Sequence, residues 1–316
     1  SRLSVTNGSL INGPEGLLHF QTGGSGSRQF SGDLTNHGTV LIDRSTTFDK
    51  TFGRYLNDGM FAIAPSQTLT ITDSDFVFTR EGTYEQTGGV TLVNGTFISP
   101  KSVLFSGGQL TGSGTIAGAV ENVAATVAPG DDVGVLTIQG NYTHSAGGKL
   151  VFDLAGHAAG QFDVLDVGGW ATLAGTLDVT LQGGFVPEAG QQFIVLTANR
   201  VFDNGLTLTG AASSLFDLVV NSSNVILQAV SANLPGDFNF NGVVDAADYA
   251  VWRKRGGTHD DYNIWRANFG RTANRGNGAG ASRSEFAVPE PLSSALALLA
   301  LAIAILCRRA EPFIQS

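Results

Sequence analysis

The chain has 316 residues, a formal net charge of −9 and an isoelectric point near 4.9, so it has room for two or three compact units and no basic cluster to follow a phosphate backbone. That argues against a nucleic-acid partner. Only 14% of residues are charged while 42 are Gly and 20 are Phe, which suits many short strands joined by tight turns, and the single cysteine, Cys307, rules out an intrachain disulfide. The sequence opens Ser1-Arg2-Leu3 with no Met, basic leader or early apolar stretch, so a secretory leader is expected to be already removed or to lie outside it.

Residues 5–127 recycle one theme: short runs of Val, Ile, Leu, Phe and Thr broken by Asn or Gly turns, as in LTNHGTVLID, YLNDGMFAIA and VTLVNGTFIS. Asn and Gly tolerate positive φ and the flanking residues favour extended backbone, so each run reads as one strand. The turn glycines Gly38 and Gly59 stand one β-solenoid rung apart, a length on the order of 20 residues, with a looser echo at Gly82 and Gly95. One such rung cannot bury its apolar face alone, so stacked coils are expected over 1–128. An antiparallel sandwich with glycine-rich turns is the alternative.

A further β-rich part is expected over 129–233, entered through a turn at 129–132. Leu177, Val179 and Leu181 alternate with Thr176, Asp178 and Thr180, the pattern of a half-buried strand, and Leu150, Phe152 and Leu154 repeat it. The continuous FIVL at 193–196 suits a strand covered on both faces. Within 107–230 the stretches GGQLTGSGTIAG, VAPGDDVGVLTIQGNYTHSAGGKLVFDL, FDVLDVGGWATLAGTLDVTL and GFVPEAGQQFIVL resemble the passenger regions of bacterial autotransporter-like adhesins. The resemblance implies an elongated parallel β-helix at a cell surface, without specifying a ligand.

Polysaccharide lyases and glycosidases also use β-helices, which directs attention to paired carboxylates. Asp73 and Asp75 share one strand face, yet neither has a neighbouring Lys, Arg or His to tune its pKa, and a solvated rim is the simpler reading. His19, His37, His144 and His157 are scattered beside turn residues or Gly, without zinc-ligand spacing, and surface or edge placement is expected for all four. No GxSxG elbow and no phosphate loop of the Walker type is present.

The stretch DFNFNGVVDAAD, 237–248, is different in kind. Calcium takes six to eight oxygens, and a twelve-residue loop supplies them from places 1, 3, 5, 7, 9 and 12. Those places are Asp237, Asn239, Asn241, the Val243 carbonyl, Asp245 and Asp248, with Gly242 at the sharp turn and Val244 as apolar anchor. Three carboxylates and two amides set −3 against +2, enough attraction for modest affinity suited to extracellular calcium.

Asp in the last place, followed by AADYAVWRKRG, resembles type I dockerin modules. Thirteen residues on, DYNIWRANFG repeats the helix: Asp248, Tyr249, Trp252 and Arg253 correspond to Asp261, Tyr262, Trp265 and Arg266. Tyr249 with Trp252, and Tyr262 with Trp265, fall at i, i+3, so each pair shares a helix face able to build a small aromatic core. The resemblance covers 234–272 and is strong in the first half; GGTHD leaves no room for a second loop, so one calcium ion is expected. Dockerins bind cohesins through loop places 10 and 11, which here are Ala246 and Ala247 rather than hydroxyl residues. That argues against a cohesin partner and leaves calcium-dependent docking as the expectation.

Residues 273–287 belong to a Gly, Ala and Asn linker without a periodic apolar face. Then come Val288, Pro289, Glu290 and Pro291, an apolar run at 292–307, and Arg308 with Arg309. As a helix the run spans about 24 Å against roughly 30 Å for a hydrocarbon core, so it suits a transient single-pass transmembrane anchor with the arginines on the cytoplasmic side. The order resembles the PEP-CTERM sorting signal, which implies export and processing by an exosortase-type enzyme. Together these readings predict a mostly β chain: a right-handed parallel β-helix, a β-rich segment, a dockerin-like or EF-hand-like helical module over 234–272, a linker and a sorting tail over 288–316. The expected role is a non-catalytic surface or matrix protein that meets polysaccharide or another surface protein. A polysaccharide-active β-helix enzyme is the runner-up.

Overall fold

The computed structural model describes residues 1–21, 23, 26, 28–72, 82–230, 234–239 and 243–271, and the chain divides into two compact units, Ser1–Ala232 and Asn233–Ser316. Asp73, Asp75, Gly242 and Asn241 lie outside the described residues, as do the linker and the whole sorting tail.

The first unit is β, and its sheets are parallel over most of their extent. Each strand pairs with the one about three further along the chain rather than with its sequence neighbour. One column runs Leu17–Phe20, Thr39–Ile42, Met60–Ile63, Val90–Val93, Gln109–Gly112, Thr126–Pro129, Lys149–Leu154, Thr176–Leu181 and Thr207–Thr209. A second runs Thr46–Phe48, Thr68–Ile71, Thr96–Ile98, Thr115–Ala117 and Val135–Ile138, and a third Arg54–Asn57, Thr83–Gln86, Val103–Phe105, Val120–Asn122 and Tyr142–His144. The longer strands Arg28–Asn36 and Val164–Leu173 serve both of these. Pairing is parallel throughout these columns, which removes the antiparallel sandwich, and it runs through residue 128 without a break.

The sequence produces this stack because its runs are short and alternate. In Thr39–Ile42 and Met60–Ile63 the second and fourth residues are buried, and the register sets Val40 against Phe61 and Ile42 against Ile63. A run of four residues thus sends two side chains inward, too few for a core until the next coil covers them. The gaps are filled by rings: Phe48 meets Phe30, Tyr55 and Phe61, Phe61 meets Tyr84, and Tyr84 meets Phe97, with centroids 4.9 to 6.3 Å apart. Pairs at such distances add about 0.5–1.5 kcal/mol each beyond their buried area.

Polar side chains stack as well. Asn12 donates to the Asn36 Oδ1 at 2.7 Å, Asn36 to the Asn57 Oδ1 at 2.7 Å, and Asn57 to the Gln86 Oε1 at 3.2 Å. Each amide is buried and also caps a turn carbonyl, as Asn36 does that of Gly38 and Asn57 that of Gly59. The asparagines of the NxG turns therefore tie one coil to the next.

Gly38 and Gly59 do mark one rung, since a Cβ on Gly59 would strike the Gly38 carbonyl. Their successor is Gly89, not Gly82 or Gly95: Gly89, at φ +61°, sits on Gly59, and Gly108, at φ +74°, on Gly89. Gly82 packs beside Tyr55, and Gly95 on the carbonyls of Ala64 and Gln67, in other turns of the coil. The strand containing FIVL also departs from expectation. Phe193 and Val195 are buried and Ile194 is exposed by ordinary alternation, and a bulge between Ile194 and Leu196 then buries Leu196 beside Val195, where Gln192–Asp203 also pairs antiparallel with Asn224–Ala229. Phe216–Val220 then pairs antiparallel with Asn224–Ala229.

In the second unit, α1 (Ala246–Arg255) and α2 (His259–Asn268) each begin in a capping box, Asp245 with Asp248 and Thr258 with Asp261. Gly256, at φ +68°, ends α1 in the left-handed region that glycine enters without steric cost. Among the described residues no helix is long and apolar enough to cross a membrane.

Candidate functional site

Five of the six expected calcium-loop residues are described. Asp248 is fully buried, with Oδ1 accepting the Asn239 N–H at 2.9 Å and Oδ2 the Asp245 N–H at 2.8 Å. Asp245 in turn accepts the Ala247 N–H at 2.7 Å. Asp237 is buried too, 3% exposed, and its N–H donates to the Leu234 carbonyl. Val243 lies beside the fully buried anchor Val244, whose N–H and carbonyl bond to the Arg271 carbonyl and the Gly270 N–H. The loop is thus closed by backbone bonds at its start, through Asp248, and at its apolar anchor.

Asp248 and Asp261 are equivalent in the internal repeat and in their helices, each the third residue of a capping box. They differ in surroundings. Asp261 is solvated, and hydrogen bonds from the Thr258 hydroxyl and N–H hold its carboxyl below the usual range. Asp248 is buried, and among the described residues its donors are two neutral N–H groups. A carboxylate has about four acceptor sites, and burying one is costly unless a charge pairs with it. A divalent cation fits that donor chemistry. Among the described residues no three His, Cys, Asp or Glu side chains gather closely enough to hold a metal by themselves, so the amides and the Val243 carbonyl would have to supply the remaining oxygens.

The repeated aromatics form one cluster. Tyr249 lies 5.3 Å from Trp252 and 5.1 Å from Trp265, Tyr262 lies 5.4 Å from Trp252 and 5.7 Å from Trp265, and Phe269 closes on Trp265 at 5.2 Å. Trp265, 4% exposed, donates its indole N–H to the Asp245 carbonyl at 2.7 Å. The helix core is thereby pinned to the end of the loop. Gly236 passes so close to Trp265 that a Cβ there would lie 2.7 Å from its Cα.

In the first unit one histidine corrects the sequence reading. His144 is buried, not at the surface, because it alternates with Tyr142 along a strand whose odd partner, Thr143, faces out. Its Nδ1 accepts the Asn122 amide at 3.1 Å and lies 3.0 Å from the Tyr142 hydroxyl, and burial pulls its pKa down to about 4. His37, exposed, meets Asp58 at 2.7 Å, and His19 meets Asp43 at 2.5 Å. Asp163, also buried, is pushed up to about 7 by desolvation against the opposing N–H bonds of Asp153 and Gly134. Val288, Pro289, Glu290, Pro291, Arg308 and Arg309 lie outside the described residues. No family model and no curated protein matches the chain.

Proposed function

We propose that the protein is an exported structural or adhesive component of the cell surface or extracellular matrix, built on a right-handed parallel β-helix and carrying a calcium-stabilised, dockerin-like docking module. The observation that carries this reading is the parallel stack. Coil after coil occupies the edges of its neighbours, and the interior is filled by rings and an amide ladder, so chain length goes into scaffold that turns alternate side chains outward. The right hand follows from the twist of parallel strands and their crossovers. Calcium would be held by Asp237, Asn239, Asn241, Asp245 and Asp248 with the Val243 carbonyl. Export is supported by the tail, where Val288-Pro289-Glu290-Pro291, the apolar run and Arg308-Arg309 suit transient membrane insertion and exosortase-type processing.

The test is surface shaving of producing cells, followed by incubation of the purified chain with extracted matrix polysaccharide in calcium. The protein should be accessible to external protease and sediment with the polysaccharide without shortening it. Release of reducing ends by the purified chain would replace this reading with an enzymatic one.

A further inference from the structure

The outward surface of the stack contains one feature that packing does not require. Trp170 is 57% exposed, at a place where a β-bulge interrupts the pairing of Val164–Leu173 with Gln192–Asp203. The bulge is built for the purpose. Gly169 lies so close to Gly140 and Asn141 that a Cβ would sit 2.6 Å from the Gly140 carbonyl oxygen, the Asn141 side chain accepts the Trp170 N–H at 2.9 Å, and the Asn199 amide donates to the Gly168 carbonyl. Bulges of this kind re-aim side chains. Here the result is an indole held open to solvent on a rigid element.

Its surroundings define a ligand. Register places Arg200 opposite Trp170 and Phe202 opposite Thr172, which in turn lies opposite Thr143. The Phe202 and Trp170 rings meet in a T-shaped arrangement at 6.0 Å and 70°, and the Arg200 guanidinium lies 4.9 Å over the Phe202 ring. Among the described residues no carboxylate pairs with Arg200. One wall is therefore an open π-face suited to the C–H face of a sugar ring, the row beside it carries the hydroxyls of Thr143 and Thr172, and one end carries an uncompensated cation shaped to grip a carboxylate. Charge orients the site as well: Glu121 lies opposite Thr143 on the far side, three strands and about 14 Å from Phe202 at ordinary strand spacing, and farther from Arg200, which is offset two residues along the strand. An acidic group would be drawn to the Arg200 end and repelled from the other.

From this geometry we infer that Trp170, Arg200 and Phe202 form a binding site for an acidic, uronate-bearing polysaccharide. The inference rests on the proposed function, since it names where the outward surface meets its ligand. It is tested by affinity electrophoresis of the full chain through gels containing polygalacturonate, its methyl ester or neutral dextran, with Trp170→Ala and Arg200→Gln variants whose circular dichroism matches the parent. Polygalacturonate should retard the parent most; Trp170→Ala should weaken retardation on the order of tenfold, and Arg200→Gln should erase the preference for the acid over its ester. Retardation that both variants retain would overturn this site while leaving the surface role standing. Equal retardation by acid and ester in the parent would overturn the carboxylate-binding role of Arg200. No retardation in any gel would overturn the site, and the surface role would then be decided by protease shaving alone; capture instead of a protein partner lost in Trp170→Ala would reassign the same patch to a protein surface.

Discussion

Lowering the pH should cost the β stack stability through His144 alone by an amount that can be worked out. Its neutral ring is anchored by Nδ1, which accepts the Asn122 amide. Protonation places a donor against that donor and a charge inside the stack. The folded pKa is about 4, set first by desolvation, against 6.5 for the free ring. Because the folded value is the lower, the unfolded chain binds the proton first as pH falls. The associated stability is complete above about pH 6.5, declines between 6.5 and 4, and is gone below. A gap of about 2.5 units corresponds to about 3 kcal/mol. Urea unfolding followed by β circular dichroism, at pH 7 and pH 4, measures the loss for the parent and for His144→Gln, which keeps an acceptor but does not titrate. Subtracting the two losses cancels the carboxylates. A difference near 3 kcal/mol is expected, and between pH 7 and pH 5 the imidazole resonances of His144 should move by only about a tenth of their full titration shift. Equal losses in parent and variant, or a ring that titrates near 6.5, would refute the argument.

Other consequences of the structure are as direct. Asn57→Ala removes an acceptor from Asn36 and a donor from Gln86 inside the stack, and should lower unfolding free energy by about 2–4 kcal/mol in urea melts, since each buried amide left unpaired costs about 1–3 kcal/mol. Gly59→Ala drives a methyl against the carbonyls of Gly38 and His37; it should destabilise by about 1–3 kcal/mol, whereas Gly160→Ala, whose Cβ would meet open space, should show only the smaller penalty of its φ of +81°. Calcium added to chelator-treated protein should raise the melting temperature of the helical signal and leave the β signal unchanged. At a hundredfold excess over the dissociation constant the gain is about 2.7 kcal/mol, and Asp248→Asn should remove most of it.

What the residues disclosed in advance, and what they hid, divides along the reach of the interactions. Strands such as Lys149–Leu154 and Thr176–Leu181 were legible because alternation is a local property, and α1 was legible because the i, i+3 spacing of Tyr249 and Trp252 is local too. Asn36 and Asn57 read as turn formers, which they are, but their side chains bond across whole coils. Nothing local separates that role from an ordinary turn. Gly89 was missed for the same reason: the coil after Gly59 is longer than the one before, so a search at constant spacing lands on Gly82, which belongs to a different turn. The placement of His144 could have been read, since Tyr142-Thr143-His144 has the period of two that buried the neighbouring strands. Its neighbours looked like turn residues and outweighed the alternation.

Trp170 shows why the outward face is harder still. Gly168-Gly169 in front of it is a dipeptide that also suits a turn, yet it lies inside a ten-residue strand, and the two glycines let the backbone of Gln139 and Gly140 and the side chain of Asn141 approach. A turn would have placed Trp170 at a flexible tip. A bulge in a strand paired on both sides places it on a rigid sheet, with Arg200 opposite and Phe202 in T-shaped contact. The same dipeptide thus separates two functional outcomes, a mobile apolar side chain and a fixed recognition surface, and only the pairing of strands thirty residues apart decides between them. In a stack whose interior is satisfied coil by coil, binding specificity is therefore to be sought where parallel register breaks.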